Sequence, residues 1–222
     1  MTLQRPTITS MVAENIANRI ISGELKGGEQ LRQEAIAKEL GVSRVPVREA
    51  LLQLEAEGLV TIQTHRGAIV SKLSREDAVD ILETREALEL LLLEKAIDIA
   101  TVADRERVAQ AMAAYDRAIE FGYGPEQLSQ LNWDLHLAMM EPTGRVRSIA
   151  LLKSLYSSLD RYLQLQIVPL EAQKRAVKDH HAIVAAYEAG DKNRFLDLSR
   201  SHIRNAARDV LKRLGALETS AD

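Results

Sequence analysis

Two groups of residues in this sequence have side chains and spacings that could do chemistry. Arg44 and Arg48 are four residues apart, so both side chains lie on one face of a helix. An arginine can donate two parallel hydrogen bonds to the edge of a guanine, so such a pair is suited to reading duplex DNA. A set of histidines after residue 130 offers imidazole nitrogens, which are common ligands of divalent metals.

The segment around the two arginines has the outline of a helix-turn-helix. Gly41 follows a helical stretch that ends at Leu40, and it can adopt the left-handed backbone that ends a helix. Ser43 is expected to cap the next helix with its side chain, and Pro46 falls in that helix's first turn. Two short helices joined at a glycine turn, the second opening with Ser and Arg, are typical of a DNA-reading unit.

The first third of the chain is predicted to be a winged helix-turn-helix. Apolar residues recur with helical spacing in three stretches, and two alternating stretches around His65-Arg66-Gly67 indicate a β-hairpin. The glycine at this wing tip would let the backbone come close to a duplex. The predicted elements are helices at residues 10–22, 31–40 and 43–57 and strands at residues 59–63 and 68–71, after a polar arm at residues 1–9.

Only helices are predicted after residue 73. The first of them contains the apolar cluster Leu90–Leu93, which favours burial on several sides, including a dimer interface. The fold class is therefore mainly α: an N-terminal winged helix-turn-helix of three helices plus a β-hairpin (1–73), followed by an all-α antiparallel helical bundle (74–222). The bundle helices are predicted at residues 75–100, 104–121, 126–140, 145–167, 170–189 and 191–214.

Composition and charge exclude several classes of protein. The 222 residues contain no cysteine, which excludes disulfides and thiolate metal sites and fits a reducing cytoplasm. No signal peptide and no apolar run long enough to span a bilayer is found, so we expect a cytoplasmic protein without a membrane partner. The net charge of −3 gives no general attraction to nucleic acid, so any DNA binding must come from a locally basic face.

The spacing of the histidines predicts that three of them meet inside the bundle. His180 lies ten residues before the turn at Gly190-Asp191, and His202 lies eleven residues after it. Both are therefore roughly 15 Å from the turn, at one level on neighbouring antiparallel helices. Asn132 and His136 are four residues apart on a third helix and can point to the same spot.

Three imidazoles and an amide oxygen would suit Zn²⁺, with Ni²⁺ and Mn²⁺ as alternatives. The competing interpretation is that each histidine is an ordinary hydrogen-bonded residue of the core or surface. His181 is rotated by about 100° from His180 on the helix, so we expect it to face elsewhere or to support a ligand from behind.

Motifs in both regions give the chain a resemblance to the GntR superfamily of bacterial transcription regulators. The resemblance is to its FadR-like branch, which has a C-terminal FCD ligand-binding domain, and it covers nearly the whole chain. In the first region it is carried by residues 25–32, 40–51, 54–60 and 66–70. In the second it is carried by Arg85-Glu86-Ala87-Leu88-Glu89, Asn132…His136, His180-x-x-Ile183, Gly190-Asp191 and His202.

The resemblance implies which residues contact DNA. The family usually has Thr where Val45 stands, and valine can offer only apolar contact, for instance to a thymine methyl group. Arg32 would reach a phosphate or simply cover the domain surface. The implied DNA-binding residues are Arg32, Ser43, Arg44, Val45, Arg48, His65, Arg66 and Gly67.

The resemblance also assigns roles in the second region. Asn132, His136, His180 and His202 would ligate the metal, with Asn132 standing where the family often has Asp. A neutral amide oxygen binds a divalent cation less strongly than a carboxylate. We therefore expect weaker metal binding, or a greater need for an anionic ligand. Arg85 would bind the effector carboxylate, or else form an ion pair with Glu89, its i+4 neighbour.

The resulting expectation is a homodimeric, metabolite-responsive transcription regulator. Two winged domains would bind a pseudo-palindromic operator, and a small organic acid bound near the metal would release repression. One alternative is the same regulator with a metal-free effector pocket lined by the histidines. The other is a metalloenzyme with a three-histidine site, although the sequence offers no placed general base and carries a DNA reader.

Overall fold

The computed structural model describes residues 7–72, 74–164 and 170–219. The chain forms two compact units, the first made chiefly of the residues up to Ser74 and the second chiefly of those from Arg75 onward. The predicted mainly α fold class is confirmed. Three parts of the sequence predictions lie outside the described residues: positions 1–6 of the predicted arm, position 73 at the predicted boundary, and positions 165–169, which include the predicted end of the fourth bundle helix.

The first unit has three helices and three short strands in its described part, residues 7–72. Helix α1 begins before the predicted position because the side chain of Thr7 accepts a hydrogen bond from the backbone N–H of Ser10 and caps it. The predicted arm is therefore wrong at its last two positions, which are helical. The elements are α1 (Ile8–Ile21), β1 (Gln30–Leu31), α2 (Gln33–Leu40), α3 (Arg44–Ala56), β2 (Val60–Gln63) and β3 (Gly67–Val70).

The sheet of this unit contains a strand that the sequence analysis missed. Residue 31 was predicted to be helical, but Leu31 lies in β1, where it pairs with Ala68 of β3. β3 is central in the antiparallel order β1-β3-β2, and β2 pairs with it from Val60 opposite Val70 to Gln63 opposite Gly67. The helices pack on this sheet through a core that includes Ile16, Leu51 and Leu54.

Helices are the only regular elements among the described residues of the second unit, as predicted. Its core combines aliphatic side chains and methionines with several aromatic rings, and it includes Leu92, Trp133, Tyr187 and Phe195. The helices are α4 (Arg75–Ile97), α5 (Val102–Glu120), α6 (Pro125–Met140), α7 (Val146–Gln164), α8 (Leu170–Ala189) and α9 (Lys192–Thr219), with a 3₁₀ turn at Glu141–Thr143. No helix in this part of the chain, or elsewhere among the described residues, is long and apolar enough to cross a membrane.

The turn between α8 and α9 has the predicted chemistry. Gly190 has a φ of 69°, which places it in the left-handed region that favours glycine. Asp191 then accepts a hydrogen bond from the backbone N–H of Arg194 at 3.1 Å and caps α9. These two residues reverse the chain so that α8 and α9 run antiparallel, which brings the histidines of the two helices to one level.

Candidate functional site

The turn between α2 and α3, and the first turn of α3, are built largely as predicted. Gly41 ends α2 with a φ of 66°, and Pro46 lies within the first turn of α3, both as predicted. Ser43 occupies the N-cap position, but its side chain makes no capping hydrogen bond, so that part of the prediction is wrong. The exposed hydroxyl of Ser43 is consequently left for other partners.

The two faces of α3 differ in the way the sequence predicts. Val47 and Leu51 are completely buried in the core of the first unit. Arg44, Val45 and Arg48 are exposed on the opposite side. The guanidinium of Arg44 is paired with the carboxylate of Glu34 on α2, whereas Arg48 has no ion pair within the described residues.

A groove of about 770 Å³ joins α2, the start of α3 and the β2–β3 hairpin. It brings together five of the eight predicted DNA-binding residues, and it adds Lys38, which the sequence analysis did not single out. Ser43, Val45 and Arg48 do not line it, although they lie on the adjoining surface of α3. The predicted residues that line the groove are Arg32, Arg44, His65, Arg66 and Gly67.

The tip of the hairpin has an unusual backbone. His65 has a φ of 69°, a left-handed conformation that a residue with a side chain rarely adopts, and Gly67 has a φ of 73°. Gln30 of β1 donates a side-chain hydrogen bond to the carbonyl oxygen of Arg66 and so fastens the tip to the sheet. The imidazole and the guanidinium at the tip are both exposed.

In the second unit, three of the predicted ligands converge. One ring nitrogen from each of His136, His180 and His202 lies within 4.8 Å of the corresponding nitrogens of the other two. The Nε2 atoms of His180 and His202 are 3.1 Å apart. All three side chains are buried, with at most 6% of the residue surface exposed. The three histidines that were predicted to meet therefore form a cluster, with one ring each from α6, α8 and α9.

The unpaired atoms of the cluster fit a metal site. Nε2 of His136 and Nδ1 of His180 are buried and have no hydrogen-bond partner among the described residues. A buried polar atom without a partner is costly, and a cation that binds the free nitrogen of His136 would remove part of that cost. The donor set of imidazole nitrogens is also the one that Zn²⁺ and other borderline divalent metals prefer.

Burial keeps two of these imidazoles neutral, which is the protonation state in which an imidazole binds a metal. Burial, together with the neighbouring His202 and His136, lowers the pKa of His180 well below its usual value. Burial also lowers the pKa of His202, although the carboxylate of Asp179, 3.5 Å from its Nδ1, opposes that shift. Both rings are therefore neutral near pH 7, and neutral imidazole is the form that binds metals.

A carboxylate that the sequence analysis considered only as an ion-pair partner proves to be part of this site. Glu89 of α4 is fully buried, and its Oε1 lies 2.6 Å from Nδ1 of His136. Tyr156 of α7, which was not predicted as a site residue, donates its hydroxyl to the same carboxylate at 3.0 Å. Burial acts to raise the pKa of Glu89, but Arg85 and His136 outweigh it and hold that pKa below its usual range. Glu89 is thus ionised at neutral pH.

Arg85 lies in the same network. Its Nε is 3.0 Å from Oε2 of Glu89, and its Nη2 donates to the hydroxyl of Tyr156 at 2.6 Å. The guanidinium carbon is also 3.8 Å from the centre of the Tyr156 ring. The ion pair with Glu89 that the sequence analysis left open is therefore present. The role of Arg85 in effector binding stays a prediction.

Asn132 and His181 are the two remaining polar residues that the sequence predictions connected with the cluster. Asn132 is half-buried one helical turn before His136 on α6, and its role as a ligand stays a prediction. His181 is exposed, and its Nε2 lies 3.1 Å from a carboxylate oxygen of Asp116. Of the two alternatives left open for His181, the contact with Asp116 favours the one in which the ring faces elsewhere.

Known proteins resemble this chain over nearly its whole length. It is 29% identical over 206 residues to the regulator BphR of Paraburkholderia xenovorans, a match that covers 89% of this chain and 82% of that protein. It is 29% identical over 208 residues to the transcriptional repressor GlaR of Escherichia coli, covering 89% and 93% respectively. The solved structure of E. coli McbR/YncC has a TM-score of 0.77 to this chain, over 93% of it and 98% of that chain. At 22% identity, this last likeness supports the fold alone.

Two families match the two units. Residues 8–70 match the bacterial regulatory proteins of the gntR family, and residues 80–205, more than half of the chain, match the FCD domain. The family and these relatives are transcription regulators, so the alternative of a three-histidine metalloenzyme is set aside. The chain therefore belongs to the GntR family of bacterial transcription regulators and carries an FCD domain after its winged helix-turn-helix.

Proposed function

We propose that this regulator is a homodimeric repressor whose operator binding is released by a small organic acid. The acid would bind beside a divalent metal ion, Zn²⁺ by preference and Ni²⁺ or Mn²⁺ as alternatives, within the helical unit. The observation that carries the proposal is the buried cluster of His136, His180 and His202, in which Nε2 of His136 has no partner among the described residues. This cluster lies inside the part of the chain that matches the FCD domain.

The three histidines, with Asn132 as a fourth ligand, would hold the metal. The ion would supply positive charge in the interior of the helical unit, where it attracts a carboxylate. A site of three neutral imidazoles and one neutral amide leaves the full charge of a divalent cation uncompensated, so an anionic effector would bind there more readily. The neutral state of His180 and His202 supports this proposal.

Arg85 would provide a second positively charged group for binding the effector carboxylate. It is buried close to His136, because both residues contact the same carboxylate, that of Glu89. The contacts of its Nε with Glu89 and of its Nη2 with Tyr156 fix the plane of its guanidinium, so the group is already oriented for an acid. An acid that bound both the metal and Arg85 would connect α4 to α6, α8 and α9.

DNA would be read by the first unit. Arg44, Val45 and Arg48 face solvent on α3, as a recognition helix that enters the major groove requires. Ser43, Arg32 and the residues of the wing tip would contact phosphates, for which hydroxyl, guanidinium and backbone N–H groups are suitable. The groove that joins α2, α3 and the hairpin brings most of these groups to one surface.

Two copies of the chain would bind the two halves of a pseudo-palindromic operator, with a spacing set by the dimer. The effector would act by binding the DNA-competent and DNA-incompetent arrangements with different affinities. Repression is the better expectation, since a relative that is similar over most of its length, GlaR, is a repressor.

Elemental analysis of the purified full-length chain tests the metal. The wild type and the variant His181→Ala are expected to carry about one zinc, nickel or manganese ion per chain. The variants His136→Ala and His180→Ala are expected to lose most of it. His181→Ala is a matched control because it removes an imidazole next to His180 that is exposed and faces Asp116. Equal metal content in all four proteins would contradict the proposed site.

A metal-free effector pocket is the remaining alternative. A thermal-shift screen against carboxylic and sugar acids, with and without added Zn²⁺, separates the two cases. Under the proposal, an acid raises the midpoint of unfolding much more when Zn²⁺ is present, because only the loaded protein offers the uncompensated charge. A shift that is the same with Zn²⁺ and after treatment with a chelator would favour direct binding to the histidines.

A further inference from the structure

Glu89 is the point at which three helices of the second unit meet. Its side chain extends from α4 and has no exposed surface. Oε1 lies 2.6 Å from Nδ1 of His136 on α6, and Oε2 lies 3.0 Å from Nε of Arg85 on its own helix. The hydroxyl of Tyr156 on α7 lies 3.0 and 3.1 Å from the two oxygens.

A fully buried carboxylate is costly unless its charge is balanced and both oxygens accept hydrogen bonds. The i+4 pair with Arg85 already balances the charge of Glu89, and Tyr156 contacts both oxygens. Stability alone therefore does not explain why the shortest contact of Glu89 is to a ring nitrogen of His136. That contact has a specific chemical result, because a carboxylate at Nδ1 decides which nitrogen of the ring carries the proton.

We propose that Glu89 is the positioning residue for metal binding at the histidine cluster. By accepting a hydrogen bond from Nδ1–H of His136, it keeps the proton of the ring on Nδ1, so that Nε2 is the nitrogen whose lone pair is left for the metal. Nε2 is the nitrogen of that ring that has no partner among the described residues. The inference rests on the proposed function, since it assumes that the three histidines bind a metal.

Arg85 and Tyr156 hold Glu89 in the orientation that this role needs. The guanidinium engages Oε2, so Oε1 is left to face His136. Carboxylates that orient metal-bound histidines in this way also make the ring a stronger ligand. The corresponding carboxylate of His202 is Asp179, whose Oδ2 is 3.5 Å from Nδ1, a longer contact. His136 is thus held more firmly than His202.

Zn²⁺ affinity, measured by competition with a chromogenic chelator on the full chain, tests the role of Glu89. Glu89→Gln keeps the size of the side chain and removes its charge, and it is expected to weaken Zn²⁺ binding by about 10- to 100-fold. Glu86→Gln makes the same charge change on the same helix, at a partly exposed carboxylate that pairs with Arg204. It is expected to bind Zn²⁺ as the wild type does, and Glu89→Asp is expected to restore part of the affinity.

The tautomer of His136 is a second readout, one that a merely structural role would not move. In ¹⁵N spectra of the wild type loaded with Zn²⁺, His136 is expected to carry its proton on Nδ1 and to present Nε2 to the metal. A ring that carries its proton on Nε2 would overturn the inference, and this measurement does not depend on whether Glu89→Gln folds.

The outcomes also separate this inference from the proposed function. Equal Zn²⁺ affinity in the wild type and in a folded Glu89→Gln would overturn the role of Glu89 while leaving the metal site in place. A wild type that binds no Zn²⁺ would overturn both. A selective loss in Glu89→Gln, with Glu86→Gln unaffected and Nδ1 of His136 protonated, would support both.

Discussion

Nη1 of Arg44 lies 2.6 Å from Oε1 of Glu34, so the first arginine of the recognition helix is paired with a carboxylate of its own unit. Both side chains are largely exposed, at 66% and 79%. An exposed ion pair of this kind contributes little to stability, typically about 0.2–1 kcal/mol. The pair is therefore easily exchanged, and a DNA phosphate or base could take the place of Glu34.

Glu34→Gln is expected to strengthen binding to a random-sequence duplex by a few-fold, because Arg44 is then free to neutralise a phosphate. The slope of log K against log salt should become steeper by about 0.9, the value for one additional phosphate contact. Titrations at several salt concentrations measure both quantities. Glu39→Gln is the control, since Glu39 lies on the same helix but pairs with Arg19 and does not line the groove. An equal change in both variants would mean that only bulk charge matters.

Arg48→Ala is expected to weaken binding to a specific duplex by roughly tenfold or more, because one bidentate contact to a base contributes about 1–3 kcal/mol. The duplex is one selected from a random-sequence pool with the wild-type protein. The mass of the assembly and its Zn²⁺ content should not change, since Arg48 lies in the first unit. Arg194→Ala, an exposed arginine of α9, serves as the control. Unchanged affinity in Arg48→Ala would show that α3 does not read the bases.

Asn132→Asp is expected to tighten Zn²⁺ binding by about tenfold or more, since an anionic oxygen replaces a neutral one among the proposed ligands. The same change should weaken binding of a carboxylate effector, because the metal then carries less uncompensated charge. Gln130→Glu adds one negative charge on the exposed side of the same helix and should alter neither affinity. Identical Zn²⁺ affinities in Asn132→Asp and the wild type would remove Asn132 from the site.

The metal-free protein is expected to lose stability as the pH falls below about 6.5, the ordinary pKa of histidine. Burial lowers the pKa values of His180 and His202 in the folded state, so the unfolded chain binds more protons in this range. The contribution of these two histidines to the free energy of unfolding is complete above pH 6.5. It is lost progressively as the pH falls from 6.5 to the lowered pKa of each ring, by about 1.4 kcal/mol for each pKa unit between the two values. Glu89, whose pKa is also lowered, contributes in the same direction only below about pH 4.5.

Urea denaturation in the presence of a chelator, at pH 7.5 and at pH 5.5, measures this effect. His180→Gln should reduce the difference between the two pH values, because it removes one of the two imidazoles whose pKa is lowered by burial. A free energy of unfolding that is the same at both pH values would contradict the lowered pKa values of His180 and His202.

The sequence predicted the elements whose signals are local. In the first unit, Gly41 ends α2 and Pro46 lies in the first turn of α3. In the second unit, Gly190-Asp191 forms the α8–α9 turn, and the levels of His180 and His202 follow from their distances along the chain to that turn. β1 could not be predicted in the same way, because a strand of two residues has no periodicity and exists through its pairing with β3.

The same distinction applies inside the site. Glu89 was recognised only as the i+4 partner of Arg85, which is a local relationship. Its contact with His136 joins residues 47 positions apart, and its contact with Tyr156 joins residues 67 positions apart. These contacts depend on how α4, α6 and α7 pack, and sequence spacing does not determine that packing.

The position of His202 on the last helix has a consequence for the order in which the protein is made. Residues 7–72 have their own hydrophobic core, and domains generally fold as units during synthesis, the N-terminal one first. About 130 further residues must then be translated before His202 emerges, which takes on the order of ten seconds at typical rates. During that interval a nascent chain carries a folded DNA-binding unit while the histidine cluster of the second unit is still incomplete.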